Sequence, residues 1–458
     1  MLSPASVTPL MEANVWTLII LIGFLLLTII AITVFKVSPI YSLVVGATLG
    51  GLVAGLPTDQ IVPVVITGFG HTIGSIGIVI LFGTSIGVIL EQTGGAIVIA
   101  NTILKAVGKR NAALAMMLAG YIVSIPVFSD TSIVILSPVA RTVSARSGKP
   151  QIAVLGALNA GIMATHTIVP PTPGPLAAAN TLGADLGMMI ALGLIVAMAY
   201  SLLALIYVSS KPLVKMFPNP SKVEGIEEAL DDDFAIKSDK KLPHPVMAFA
   251  CLIVPLVLIC ANSFREQIGL PEVIWPTLAF IGHPVVSLFL GVVMCFFLNT
   301  KLFSKNQVAE WFQKTVDVSA FIILATGASG SFGWLLRATG VGEFMGHGIA
   351  NSPLPIIFVP FLVTLLLVLS NGSATVSLII GSGIMLPLMP YMGLSPVMVA
   401  LSLAAGASFF YHVNATHFWV VVRSANLTMK EGFFNVGGGT AVGSVGAMVA
   451  VFILHFFF

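Results

Sequence analysis

Long apolar stretches, separated by short polar loops, run through most of this 458-residue chain. A helix of about 20 apolar residues crosses the hydrocarbon core of a bilayer. Only 8% of the residues are charged and the mean hydropathy is +1.05, which excludes a soluble domain of this length. The sequence predicts an all-α polytopic membrane protein. The predicted spans are 16–35, 40–56, 62–90, 151–182, 186–209, 245–263, 274–299, 316–336, 395–422 and 437–458.

The positions of Lys and Arg predict the topology, because short cytoplasmic loops are rich in both. Residues 1–35 contain neither, so the first apolar stretch lacks the basic flank of a cleavable signal peptide and is interpreted as a retained span. Residues 111–145 have basic residues at both ends, which favours a re-entrant hairpin over a single crossing. Residues 353–390 contain no basic residue and suit a second hairpin that opens to the outside. Both chain termini are predicted to lie outside.

Two short polar patches interrupt this apolar sequence at matching places in the two halves. They are Ser129-Asp130-Thr131-Ser132 and Asn371-Gly372-Ser373-Ala374-Thr375, and each falls at the tip of a predicted hairpin. Backbone that is not helical persists at membrane depth only where protein or a wet cavity covers it. Paired interruptions of this kind are typical of the substrate site of carriers built from inverted repeats.

The order of features divides the chain into two predicted inverted repeats of about five spans each. The first, 1–209, contains scaffold spans within 16–90, the hairpin 111–145, a broken helix 151–182 and a span 186–209. Residues 210–244 are polar and predict a cytoplasmic linker. The second repeat, 245–458, contains scaffold spans within 245–336, the hairpin 353–390, a broken helix 395–422 and a span 437–458.

Prolines interrupt the broken helix of the first half. Pro170, Pro171, Pro173 and Pro175 cannot lie in one continuous helix, because each lacks an N–H donor and clashes with the preceding turn. The break frees carbonyls before it and N–H groups after it, which suit a cation and a carboxylate respectively. A packing kink is the alternative. The equivalent break in the second half is predicted at 411–414.

Asp130 is the most informative single residue, because a carboxylate deep in a membrane is costly unless it is paired, solvated or protonated. We expect it to carry a coupling proton; the alternative is an ordinary helix cap. Nearby hydroxyl, amide and imidazole groups could bind a carboxylate and its alcohol groups. The predicted substrate-binding residues are Ser129, Asp130, Thr131, Ser132, His166, Thr167, Thr172, Asn371, Gly372, Ser373, Thr375, His412 and Asn414.

No cofactor or metal site is predicted. Cys251, Cys260 and Cys295 lie in apolar stretches without metal-ligand spacing, and the two histidines His412 and His417 lack partner ligands for zinc. The few basic residues are spread along loops, so nucleic acid is not an expected partner. The lipid bilayer and a small carboxylate are the predicted partners.

Several of these motifs resemble the gluconate permease (GntP) family of proton symporters for gluconate and related hydroxy carboxylates. The matching segments are 125–128 with Asp130, 166–175, 183–187, 372–376, 412–414 and 418–419. The resemblance covers essentially the whole chain apart from the linker. It implies the architecture of the ion transporter superfamily, a homodimer and elevator-like movement of the hairpin domain.

This chain departs from the family pattern at its first tip. Gluconate-type members usually have an aromatic residue before the tip acid and Val-Gly after it, whereas this chain has Ser129 and Thr131-Ser132. It also has Ala415 and Arg337 where many members have acids. The Ser-Asp-Thr tip is similar to the Ser-Asn-Thr signature of sodium-coupled carboxylate carriers.

The sequence therefore predicts a secondary active carrier of the bacterial inner membrane that imports a gluconate-like hydroxy carboxylate or sugar acid with protons. Sodium coupling in the same fold is the first alternative. A channel would need a repeated filter of carbonyls or charges, and an intramembrane enzyme would need a nucleophile with a base or a metal cluster. Neither pattern is present in the sequence.

Overall fold

A computed structural model describes residues 9–108, 111–221, 242–298, 305–341, 354–413 and 415–458. Within these ranges every regular element is a helix. Eight helices in the described ranges are long and apolar enough to cross a membrane, and one bent pair would make nine. The chain is an all-helical, multi-pass membrane protein. Asn414, residues 222–241 of the predicted linker and residue 353 of the second predicted hairpin lie outside the described residues.

Ten described α-helices lie within residues 9–221, and the last of them falls in the predicted linker. Asn14 begins α1 with a reciprocal capping box to Thr17, and left-handed glycines end α3 and α8 at Gly94 and Gly183. The helices are α1 Val15–Thr33, α2 Pro39–Ala54, α3 Thr58–Thr93, α4 Gly95–Val107, α5 Ala112–Val123, α6 Ser129–Ser147, α7 Gln151–Ile168, α8 Pro173–Leu182, α9 Leu186–Val208 and α10 Lys211–Met216.

The second half contributes eleven described α-helices. Short 3₁₀ turns at Glu272–Ile274 and Leu386–Leu388 and a π-helical turn at Phe433–Gly438 connect some of them. The helices are α11 Pro245–Ser263, α12 Trp275–Ile281, α13 Pro284–Cys295, α14 Lys305–Ala338, α15 Phe358–Asn371, α16 Ala374–Met385, α17 Met389–Met392, α18 Pro396–Ala407, α19 Thr416–Ser424, α20 Met429–Gly432 and α21 Gly439–Leu454.

The predicted span 274–299 is not one straight helix. The chain bends by 63° between α12 and α13. Gly282 ends α12, and Pro284 is the first residue of α13, where a proline costs no helical hydrogen bond. A local break of this kind is invisible to a hydropathy average, because the residues on both sides are equally apolar.

The helices pack in a pattern that repeats between the two halves. The hairpin pair α5 and α6 packs on α7, and the pair α15 and α16 packs on α18. The second arm of each hairpin also contacts a short helix of the other half: α6 contacts α19, and α16 contacts α8. The long helices α3 and α14 lie against each other, as do α9 and α21. The two halves therefore meet at the hairpin tips and also along these two pairs of long helices.

Glycine permits the closest of these contacts. Gly161 of α7 lies against the backbone of Met117 and Tyr121 in α5, and a Cβ at Gly161 would collide with both. Close backbone approach through small residues is the usual way in which membrane helices associate, since apolar side chains gain little by leaving lipid. The first hairpin is consequently held tightly against the broken span α7–α8.

Candidate functional site

The first hairpin tip places Asp130 at the start of a helix. The turn after α5 is held by Ser124, whose hydroxyl donates to the Val127 carbonyl at 3.1 Å and lies 3.2 Å from the Ser132 hydroxyl. Helix α6 then begins at Ser129, with Asp130 as its second residue. The residue before α6 is Phe128, whose side chain cannot cap the first turn. The N–H groups of that turn therefore remain available to an anion.

The second hairpin tip is organised by Asn371. Its Oδ1 accepts a hydrogen bond from the Ser373 N–H at 2.7 Å, and its Nδ2 donates to the Leu367 carbonyl at 2.7 Å. Gly372 between them adopts a left-handed φ of 72°, which favours glycine. Ser373 caps α16 through the Val376 N–H at 3.4 Å. The Asn371 amide thus holds the shape of the tip.

The broken span of the first half separates at its prolines. Helix α7 ends at Ile168, and α8 begins at Pro173 after a cis peptide bond between Pro170 and Pro171. The Thr172 hydroxyl donates to the Val169 carbonyl inside this break. His166 lies in the last turn of α7, and its buried Nδ1 has no hydrogen-bond partner among the described residues.

The broken span of the second half separates between α18 and α19. Helix α18 ends at Ala407, and α19 begins at Thr416. Ala415 precedes α19 and, like Phe128, has no side-chain acceptor for the first turn. The Tyr411 ring meets the His417 ring edge to face at 6.3 Å between centroids.

These elements enclose a cavity of about 270 Å³. Both hairpin tips, the last turns of α7 and the first turn of α19 form its wall. The N-terminal turns of three helices, α6, α16 and α19, therefore line one small space, and each contributes partial positive charge. The lining residues are Phe128, Ser129, Asp130, Met163, His166, Gly372, Ser373, Ala374, Thr375, Tyr411, Thr416 and His417.

The Asp130 carboxylate contacts the His417 imidazole at the edge of this cavity. His417 Nδ1 lies 2.8 Å from Asp130 Oδ1, and His417 Nε2 lies 2.8 Å from Asn159 Oδ1 on α7. His417 is 5% exposed, whereas 47% of the Asp130 side chain is exposed. The imidazole is thus fixed at both nitrogens, while the carboxylate keeps a face open to the cavity.

The structure places the predicted site residues in two groups. Six of them line the cavity: Ser129, Asp130, His166, Gly372, Ser373 and Thr375. The other predicted site residues that the structure describes do not line the cavity: Thr131, Ser132, Thr167, Thr172, Asn371 and His412. Several of the second group bond to backbone carbonyls instead: Ser132 to Val127, Thr167 to Met163, and the His412 ring to Leu369.

Sequence reasoning missed His417, which contacts Asp130, and the two residues that hold His417, Asn159 and Tyr411. In the sequence, His417 is notable only as a histidine that lacks the partner ligands of a zinc site, and neither Asn159 nor Tyr411 is predicted to bind substrate. One signal was present: His417 is the second residue of a half-helix that follows a break, just as Asp130 is the second residue of α6. Among the described residues, no group of three or more His, Cys, Asp or Glu side chains could hold a metal ion.

Known proteins similar to this chain are membrane permeases. The family model described as GntP family permease matches residues 15–457. An uncharacterized permease of Haemophilus influenzae is 34% identical over 85% of this chain and 81% of its own length. The gluconate permease of Pseudomonas aeruginosa is 31% identical over 93% of this chain and 94% of its own length. The crystal structure of the Alcanivorax borkumensis YdaH transporter matches 88% of this chain and 90% of its own chain, with a TM-score of 0.65 at 13% identity, a likeness of fold alone.

Proposed function

Because the chain belongs to the GntP family of permeases, we propose that it imports a small hydroxy carboxylate or sugar acid together with protons. Membership of this family makes it a transporter rather than an enzyme. The relative from Pseudomonas aeruginosa is named a gluconate permease, which supports a gluconate-like substrate. The observation that carries the proposal is the cavity between the two hairpin tips, with Asp130 in its wall.

Three helix N-termini support the binding of a carboxylate in this cavity. The first turns of α6 and α19 have no side-chain cap, so their N–H groups can donate to an anion. The side chains of Ser129, Ser373 and Thr375 supply hydroxyls for the alcohol groups of the substrate. The imidazole of His166 also lines the cavity and adds a polar group to its wall. A cavity of about 270 Å³ suits a small acid rather than a large one.

Asp130 supports coupling to a proton. A substrate carboxylate in the same small cavity would repel the Asp130 carboxylate, and protonation of Asp130 removes that repulsion. Binding of the anion and binding of the proton then favour each other, which is the thermodynamic requirement for symport.

Movement of the site across the membrane belongs to the same proposal. We assign the hairpins and both broken spans to a moving domain, and the helices α1–α3 and α11–α14 to the scaffold of an elevator. The repeated packing pattern supports two inverted repeats at 1–209 and 245–458. A homodimer in the bacterial inner membrane, with both termini outside, completes the proposal.

Uptake into proteoliposomes tests the coupling ion. Purified protein is reconstituted, and accumulation of radiolabelled D-gluconate is followed under an imposed pH gradient or an imposed sodium gradient. We expect accumulation that follows the pH gradient and collapses with a protonophore. Accumulation that follows only the sodium gradient would establish the alternative, a sodium-coupled carrier of the same fold.

A thermal-shift panel tests the substrate class. A ligand that binds only the folded carrier raises its unfolding temperature by mass action. Sugar acids and hydroxybutyrates are expected to stabilise the protein, whereas the corresponding uncharged sugars are not. Stabilisation by the uncharged sugars to the same extent would contradict an anion site.

A further inference from the structure

Each hairpin meets a half-helix of the other repeat at one defined position, and the two meeting points differ in chemistry. Asp130 is the second residue of α6, and Thr375 is the second residue of α16. Their opposite residues are likewise second in their helices: His417 in α19 and Gly174 in α8. At the first meeting point a carboxylate faces an imidazole at 2.8 Å. At the second, a Cβ added to Gly174 would lie 3.2 Å from the Thr375 Cα.

The ionisable pair is therefore found on one side of the cavity only. Asp130 is the only carboxylate among the described lining residues, and His417 approaches it at 2.8 Å. The other titratable groups that face His417 are His166 from α7 and Tyr411 from the connection before α19. In the part of the chain that the structure describes, no Lys or Arg lines the cavity, so histidines are the only basic side chains in its wall.

The two contacts of the His417 ring suit its doubly protonated form. Both ring nitrogens face oxygen atoms, Asp130 Oδ1 and Asn159 Oδ1, and only the doubly protonated ring can donate to both. The first-turn position of His417 opposes this charge through the helix dipole, and the adjacent Asp130 carboxylate offsets that effect.

We infer that His417 is the counter-ion that Asp130 and the substrate carboxylate share, and that coupling is an exchange of partners on its imidazolium. This inference rests on the proposed carboxylate–proton symport. In the empty carrier the imidazolium pairs with ionised Asp130. When substrate enters, its carboxylate takes that place, and Asp130 binds one proton from solution. After the substrate leaves to the cytoplasm, Asp130 releases the proton and pairs with His417 again.

In this exchange the side-chain and substrate charges of the site sum to zero when the loaded site crosses the membrane, and again when the empty site returns. The empty site contains one carboxylate and one imidazolium, and the loaded site contains the substrate carboxylate, the same imidazolium and a neutral Asp130. Without His417, both the empty and the loaded site would carry one net negative charge across the membrane. An unbalanced charge at mid-membrane is costly. One proton should therefore accompany each monovalent anion, and no net charge should move.

Binding measurements on purified full-length protein test the inference, with D-gluconate as the probe. Calorimetry in buffers of different ionisation enthalpy gives both the Kd and the number of protons taken up. The wild type should take up about one proton per gluconate. His417→Gln should bind gluconate about 10- to 100-fold more weakly, because a charge-assisted contact is lost. His417→Lys, which restores a cation, should recover at least half of that loss on a logarithmic scale.

The matched control is His71→Gln, a histidine on α3 whose ring packs against Trp334 away from the cavity. It should bind gluconate like the wild type. The inference is overturned if His417→Gln binds gluconate as tightly as the wild type. It is also overturned if His417→Lys binds gluconate as weakly as His417→Gln. Size-exclusion profiles establish that the variants are folded.

Charge movement in the wild type gives a test that needs no variant. Proteoliposomes adsorbed to a solid-supported electrode should show no net current during gluconate uptake driven by a pH gradient. A sustained current would overturn the shared counter-ion even if coupled uptake is observed. Absence of gluconate uptake and binding by the wild type would instead count against the proposed function.

Discussion

Replacement of Asp130 by Asn should uncouple transport from protons. The cavity volume of about 270 Å³ corresponds to a sphere roughly 8 Å across, so a bound carboxylate lies about 5 Å from Asp130. At an effective dielectric constant of about 20, two negative charges at that distance repel by about 3 kcal/mol. Protonation of Asp130 removes this repulsion, so the substrate anion and the proton favour each other's binding. The amide introduced by Asp130→Asn carries neither the charge nor the proton.

The assay is gluconate transport by proteoliposomes in two modes. Wild-type protein should accumulate gluconate under an inward pH gradient, and Asp130→Asn should only equilibrate it. Exchange of internal for external gluconate needs no net proton movement, so the variant should retain exchange, with little dependence on pH between about 6 and 8. Asp130→Asn that still accumulates gluconate at the wild-type level would refute the coupling role.

Asp185→Asn is the matched control for this substitution. Asp185 caps α9 through the Met188 N–H at 2.8 Å and does not line the cavity. Its replacement should leave proton-driven accumulation intact. Asn is also a good cap, so stability should change by less than about 1 kcal/mol.

Three further substitutions test the packing around the site. Gly87→Ala on α3 would place a Cβ against the Pro126 carbonyl in the first hairpin, so we expect about 1–3 kcal/mol of destabilisation and slower uptake, measured by thermal unfolding and initial rates. Glu91→Gln removes a partly exposed 2.7 Å ion pair with Lys314, and the free energy of unfolding should fall by no more than about 1 kcal/mol with uptake unchanged. Asn371→Ala removes the bonds that shape the second tip, and the KM for gluconate should rise about 10-fold.

Each of these has an outcome that would count against it. Unaltered uptake by Gly87→Ala would mean that the hairpin does not lie against α3 in the transport cycle. A loss of several kcal/mol in Glu91→Gln would mean that the pair with Lys314 is shielded from water. An unchanged KM for Asn371→Ala would mean that the tip is held by other contacts.

The sequence alone predicted the class of fold because its signals are local. Apolar stretches long enough to span a bilayer, and prolines that cannot continue a helix, act over a few neighbouring residues. The long described helices accordingly overlap the predicted apolar stretches, and α7 ends just before Pro170. The polar tips containing Asp130 and Ser373 were also recognisable, since polar sequence at membrane depth needs a reason.

The tertiary structure decided which of the candidate residues share a cavity. The hydroxyls of Thr167 and Thr172 look as suitable in the sequence as that of Thr375, yet their bonds to nearby carbonyls turn them away from the cavity. His417 lies 287 positions from Asp130 along the chain, and only the packing of α6 against α19 brings the two within 2.8 Å. Contacts of such separation depend on how the two halves are placed, which no local pattern encodes.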